Sequence, residues 1–153
     1  MATRNVTMIV DRELASHNEA GFACDPELVD GNSYVNMYLH HDGYPEWRAV
    51  ELANWVKYMK NNGNYVTDGS KMAAHLVKDF HYQSQYLYPS HVDIDHHYTY
   101  VIWVGKADIW MSCWNQYKTE CVFVLKIDDV LSRYKADYDY TDWEKHKQNT
   151  NQY

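Results

Sequence analysis

Two short stretches concentrate the side chains that could do chemistry. The first, His40-His41-Asp42-Gly43-Tyr44-Pro45-Glu46-Trp47-Arg48, sets two imidazoles, two carboxylates, two aromatic rings and a guanidinium side by side. Asp-Gly supplies a tight turn and Pro suits the first turn of a helix. A turn that feeds a helix presents backbone N–H groups and the positive end of a dipole, which suits a phosphate or a carboxylate. Arg48, or Arg4 from near the start, would add a charge-assisted contact, and Tyr44 or Trp47 a surface on which a base stacks. The plainer alternative is that His40 or His41 hydrogen-bonds the turn while Asp42 satisfies its backbone donors.

The second stretch is His91-Val92-Asp93-Ile94-Asp95-His96-His97. In an extended conformation, alternation places His91, Asp93, Asp95 and His97 on one face, a donor set that ligates zinc, manganese or iron. A solvated polar loop is the competing reading. The run partly resembles the His-x-His-x-Asp-His motif of metallo-β-lactamase-fold hydrolases, with Asp93 in place of the second His. His97-x-Thr99 is half of the paired signature of two-histidine phosphoesterases, which need a second copy so that one imidazole acts as base and the other as acid. The chain has no second copy. His17, His75, His81 and His146 read as surface residues. A Gly-x-Ser-x-Gly elbow, a phosphate-binding Gly-x-x-x-x-Gly-Lys-Ser/Thr loop and a Gly-x-Gly-x-x-Gly fingerprint are all missing, so serine hydrolysis, ATP hydrolysis and dinucleotide redox chemistry lack support. No cofactor is expected.

Composition narrows the partners. A net charge of −7 argues against broad affinity for nucleic-acid backbones, which comes from Lys and Arg displacing counterions. Aromatic residues make up 16%, with 15 Tyr and 6 Trp against 3 Phe. Tyr and Trp carry an apolar face and a polar edge, so their excess favours half-wet places such as interfaces and stacking pockets, or the rim of a thin core. Cys24, Cys113 and Cys121 lack Cys-x-x-Cys spacing and read as reduced, buried thiols. No apolar run is long enough for a membrane helix or a secretory leader, so a cytoplasmic location is expected.

The elements that would position these groups follow from periodicity. Asn5–Val10 is β-branched and short, hence a first strand. The stretch 11–32 carries Gly21, Pro26 and Gly31 without a period and reads as a long loop. Ser33–Leu39 alternates and gives a second strand, antiparallel to the first. Trp47, Val50, Ala53, Trp55, Val56 and Met59 recur at helical spacing, so a helix runs to about Asn61 and closes at Asn62-Gly63. Ser70 caps a second helix with Met72, Ala73, Leu76, Val77 and Phe80 as its stripe. His97–Val104, Asp108–Trp114 and Cys121–Ile127 form an antiparallel meander, and Asp128 caps a short helix to Tyr134. The expected architecture is a single α+β domain over 1–134. It is a mainly antiparallel sheet of about five strands with two helices on one face, the other face being left to solvent or a second subunit. A polar tail follows over 135–153.

The run Tyr38-Leu39-His40-His41-Asp42-Gly43-Tyr44-Pro45-Glu46, with Thr3-Arg4 before it and Asp95-x-x-Tyr98-x-Tyr100 after it, resembles a set of small tailed-phage proteins. These share a Tyr-x-His-x-Asp-Gly-Tyr-Pro-Glu core, an N-terminal Thr-Arg and a late Asp-x-x-Tyr-x-Tyr strand. The resemblance implies a phage accessory protein of the host cytosol, without assigning chemistry. Small phage proteins of this kind often inhibit host defence, some of them as sponges that bind nucleotide signals without cleaving them. Turn and resemblance together nominate Arg4, His40, His41, Asp42, Tyr44, Trp47, Arg48, Asp95 and Tyr98 as ligand-binding residues.

Three functions compete. The first is a homo-oligomeric module that sequesters a small nucleotide. The second is an inhibitor that meets a host protein through its aromatic surface and tail. The third is a metal-assisted phosphodiesterase using His40, His41, Asp42 and the 91–97 cluster.

Overall fold

The run NVTMIV is apolar or β-branched at nearly every position, which suits a strand covered on both faces. The computed structural model of the chain describes residues 3–14, 24–62, 67–83, 86–92 and 94–134, and in it these residues form β1 (Asn5–Val10), buried at every position. The further strands are β2 (Asn36–Leu39), β3 (Tyr86–Leu87), β4 (Tyr98–Val104), β5 (Ile109–Asn115) and β6 (Glu120–Lys126). Among the described residues they make one six-stranded sheet in the order β3-β2-β1-β4-β5-β6.

The α+β class stands, and β1 pairs antiparallel with β2 as its alternation suggests, Asn5 opposite Leu39. Two details of the expected sheet are corrected. Among the described residues there are six strands rather than about five, and β4 lies parallel to β1, Asn5 opposite Tyr98. Helices between β2 and β4 supply the long crossover that a parallel pairing needs. The added strand, β3, has only two residues, too few to show a period.

A wide turn over Pro45–Ala49 leads into α1 (Val50–Asn61), followed by α2 (Gly69–Phe80) and α3 (Ile127–Arg133). Asp68, not Ser70, caps α2: its carboxylate accepts from the Ser70 N–H at 3.0 Å and the Lys71 N–H at 3.3 Å. Asp128 sits in the first turn of α3, where a carboxylate complements the dipole, while Lys126 holds the cap position. The Asn62 side chain closes α1 by donating to the Tyr58 carbonyl at 2.7 Å; Gly63 lies outside the described residues.

All three helices pack on one face of the sheet, where Leu52, Trp55, Met59, Met72, Leu76, Phe80, Ile127 and Val130 meet Ile9, Met37, Tyr100, Ile102, Met111 and Phe123. The opposite face is not left open, which corrects the expectation of a solvent or subunit face. Val6, Met8, Val10, Val101, Trp103, Trp110 and Val124 form a second core there, covered by Leu14, Cys24 and Val29 from the long loop and by Ile94. Alternate positions of β1 and β4 feed the two cores, as a period of two requires.

The cysteines depart from expectation as well. Cys24 and Cys121 form a disulfide across 97 residues, and among the described residues only Cys113 is a free thiol, buried. Burial pushes that thiol well up from its usual range, so it stays protonated. The bond fastens the covering loop to β6. No helix among the described residues is long and apolar enough to cross a membrane. The tail over 135–153 lies outside the described residues, as do Asp93, His17 and His146.

Candidate functional site

The Asp-Gly turn that leaves β2 is held by two separated parts of the chain, residues 3–5 and Tyr100. The Asn5 side chain on β1 donates to the carbonyls of Leu39 at 3.3 Å and His41 at 3.2 Å. The Gly43 N–H donates to the Thr3 carbonyl at 3.0 Å, and the Tyr100 hydroxyl donates to the Gly43 carbonyl. A Cβ at Gly43 would lie 2.5 Å from the Thr3 oxygen, so glycine is required there by close backbone approach. Asp42 takes a left-handed conformation with φ at 59°, which aspartate tolerates better than most residues.

Beside this turn lies a pocket of about 480 Å³ lined by Tyr38, Leu39, His40, His41, Asp42, Gln83 and Tyr86. Its volume falls within the usual range for small-molecule sites. The Tyr38 hydroxyl lies 2.8 Å from His40 Nδ1, and the His40 and His41 rings meet edge to face at 4.7 Å. Tyr38 also packs against Tyr86 at 6.1 Å and Tyr88 at 5.9 Å, giving a tilted wall of rings. Burial raises the Tyr38 pKa above 10 despite the opposing Arg4 charge, so this wall presents a neutral phenol.

Arg4 stands next to β1 one residue beyond the paired positions Asn5↔Leu39 and Asn5↔Tyr98, between the strand ends that carry His40 and His97. Its carbonyl accepts from the N–H groups of His97 at 2.9 Å and Tyr98 at 3.3 Å. Its guanidinium pairs with Asp95 at 3.0 Å and donates to the Tyr117 hydroxyl at 3.2 Å. Beyond Arg4, His97 is sandwiched between Tyr98 at 4.3 Å and Tyr117 at 4.6 Å, with Tyr44 tilted against Tyr98 at 6.1 Å. Burial first, and then Lys118, lowers the His97 pKa, which keeps that imidazole neutral near pH 7.

The nominated residues therefore divide. His40, His41 and Asp42 line the pocket, Tyr44 and Tyr98 belong to the neighbouring stack, and the Arg4–Asp95 pair stands between them. Trp47 is half-buried and does not line the pocket.

Arg48 is the clear correction. It is fully buried, its guanidinium 2.6 Å from the equally buried Glu51 carboxylate, 3.1 Å from the Gln83 carbonyl oxygen and over the Phe80 ring. Gln83 in turn donates to Glu51 at 2.9 Å, so the charge is consumed in the interior. The helix start is no phosphate cradle either. Pro45 has no N–H, and those of Trp47 and Arg48 both donate to the Tyr44 carbonyl.

The 91–97 run is not extended. The Ile94 N–H donates back to the His91 carbonyl at 3.2 Å, a turn that breaks the alternation assumed from sequence. His91 is buried with Nδ1 donating to Asp30 at 3.0 Å, Asp95 faces Arg4, and His97 is stacked. Ser90 donates to the same Asp30 carboxylate, and although burial opposes it, these donors hold the Asp30 pKa below 3.8. His96, which the alternation argument passed over, is buried instead. Its Nδ1–H donates to the Ile94 carbonyl at 2.7 Å, so Nε2 accepts from the Thr99 hydroxyl at 2.6 Å. Among the described residues no three His, Cys, Asp or Glu side chains are placed to hold a metal ion.

Sequence reasoning missed Tyr38, Gln83 and Tyr86 as pocket walls and Tyr117 as a partner of Arg4. The signal available was the tyrosine density of the segment around 82–88. A second depression of about 740 Å³ lies between the end of α1 and the β4–β5 turn, but its Lys57 and Lys126 are paired with Asp128 and Asp108. No protein-family model, curated protein or solved structure matches this chain.

Proposed function

We propose that this chain is a binding module that takes a small nucleotide-type ligand and holds it unchanged, its base against the Tyr38–Tyr86 wall. The observation that carries the reading is the pocket itself. It has an aromatic wall for stacking, with His40, His41 and Asp42 on its rim to hydrogen-bond a base edge. His40 engages Tyr38, a phenol that burial keeps protonated, and its ring meets His41 edge to face, which favours holding over cleavage. In a phage accessory protein of the host cytosol, as the motif resemblance implies, such binding would sequester a defence signal, with several copies of the chain assembled together.

A thermal-shift panel of cyclic dinucleotides, ADP-ribose, its cyclic forms and mononucleotides tests this. At least one compound should raise Tm, be recovered intact by mass spectrometry after heat release, and lose its effect in Tyr86→Ala. No shift across the panel overturns the reading.

A second reading is favoured by Tyr86 and Leu87 on the outer strand, which are 57% and 58% exposed. An exposed apolar edge suits a protein partner, here a host protein inhibited by contact. Pull-down of a stoichiometric partner, abolished by Leu87→Lys, would favour it over the sponge.

A further inference from the structure

The pocket poses a charge problem for any nucleotide. Among the described residues that line it none is Lys or Arg, and Asp42 contributes a negative charge. A base and sugar fit that environment, while a phosphate needs a cation close by. Arg4 meets the need. Its backbone is fixed beside β1 by the His97 and Tyr98 N–H groups, one residue beyond the antiparallel pairing of Asn5 with Leu39 and so beside His40 of the pocket lining.

The Arg4 guanidinium is engaged, but in an exchangeable way. Its partner Asp95 has a side chain 72% exposed, whereas Arg4 is 35% exposed. Guanidinium forks recognise carboxylate and phosphate by the same paired N–H geometry. An exposed carboxylate returns to water at little cost, because a solvated ion pair is weak. The Tyr117 hydroxyl touches both members, accepting from Arg4 at 3.2 Å and donating to Asp95 at 3.3 Å. It is therefore a donor already aimed at an anion on Arg4.

We propose that the Arg4–Asp95 pair is an anion lock: Asp95 occupies the place on Arg4 that a phosphate of the bound nucleotide takes when the ligand enters. The inference rests on the pocket reading above, and it adds where the phosphate goes and what it displaces. Discrimination between nucleotide and nucleoside then resides in Arg4, while the base affinity resides in Tyr38 and Tyr86.

Titration calorimetry with matched probes, adenosine against AMP and guanosine against GMP, tests it on the full chain. Asp95→Asn should tighten the nucleotide about two- to five-fold by removing a competitor of ordinary exposed-pair strength, leaving the nucleoside unchanged. Arg4→Gln should weaken the nucleotide about tenfold, towards the nucleoside value. Both side chains reach solvent, so unliganded melting curves serve as the folding control. If the nucleoside binds but neither variant changes the nucleotide-to-nucleoside ratio, the lock is overturned and the pocket reading survives. If none of the four probes binds the unmodified protein, the lock is overturned, while the pocket reading stands or falls with the wider thermal-shift panel.

Discussion

The Tyr100 hydroxyl, fully buried in the helix-side core, donates to the Gly43 carbonyl at 2.5 Å across 57 residues of chain. It ties the floor of the sheet to the one turn that shapes the pocket. Tyr100→Phe should cost about 1–3 kcal/mol in urea unfolding, because a buried carbonyl loses its donor. Gly43→Ala should cost as much or more, since its methyl would meet the Thr3 oxygen, and pocket binding should weaken with it. Unchanged unfolding midpoints in both variants would contradict this account of the turn.

The buried Arg48–Glu51 pair predicts the opposite division between stability and binding. Arg48→Met strands a carboxylate in the interior, and the loss should be about 3–5 kcal/mol by chemical denaturation. The double change Arg48→Met with Glu51→Leu should recover most of that. Ligand affinity of the double variant, measured where it is folded, should stay within a few-fold of the parent, because the two side chains do not line the pocket and reach it only through Gln83. A selective loss of affinity would return Arg48 to the site.

His96 sets a pH dependence with a defined sign. Burial first, aided by the His91 and Arg4 charges and opposed by the Ile94 carbonyl and Asp95, lowers its pKa below 6.5. The unfolded chain takes up this proton near 6.5 and the folded chain resists it, so stability present above that pH is lost as the pH falls. Asp30, whose folded pKa is below 3.8, adds a separate loss only at more acid pH. Tm should therefore decline from about pH 6.5 downwards, and His96→Gln should lessen the decline above about pH 5, the remainder falling to His97, whose pKa burial also lowers. A decline that this substitution leaves undiminished would assign the effect to another group.

Much of the fold was legible because it is local. β1, β4, β5 and β6 fall within a residue or two of the runs picked out by β-branched and alternating residues. What escaped was relational. A strand's own pattern does not name its neighbour, so the parallel β1–β4 pairing left no mark. Cys24 and Cys121 are likewise joined only by the folded chain. In the site, His40, His41 and Asp42 were readable because one turn carries them. Arg48 misled, although Glu51 three residues on was a visible sign of an ion pair along one helix face. Alternation does not hold at His91–His97 because a loop need not keep a strand's period.

The central place of β1 also orders assembly in time. Of the strands described here it is the first the ribosome delivers, yet its parallel neighbour begins only at Tyr98, some hundred residues later. Until then a strand that the fold buries at every position has one edge bare, a template for pairing between nascent chains. Expression at reduced temperature or with added chaperones should raise soluble yield, and fragments that stop before β4 should precipitate.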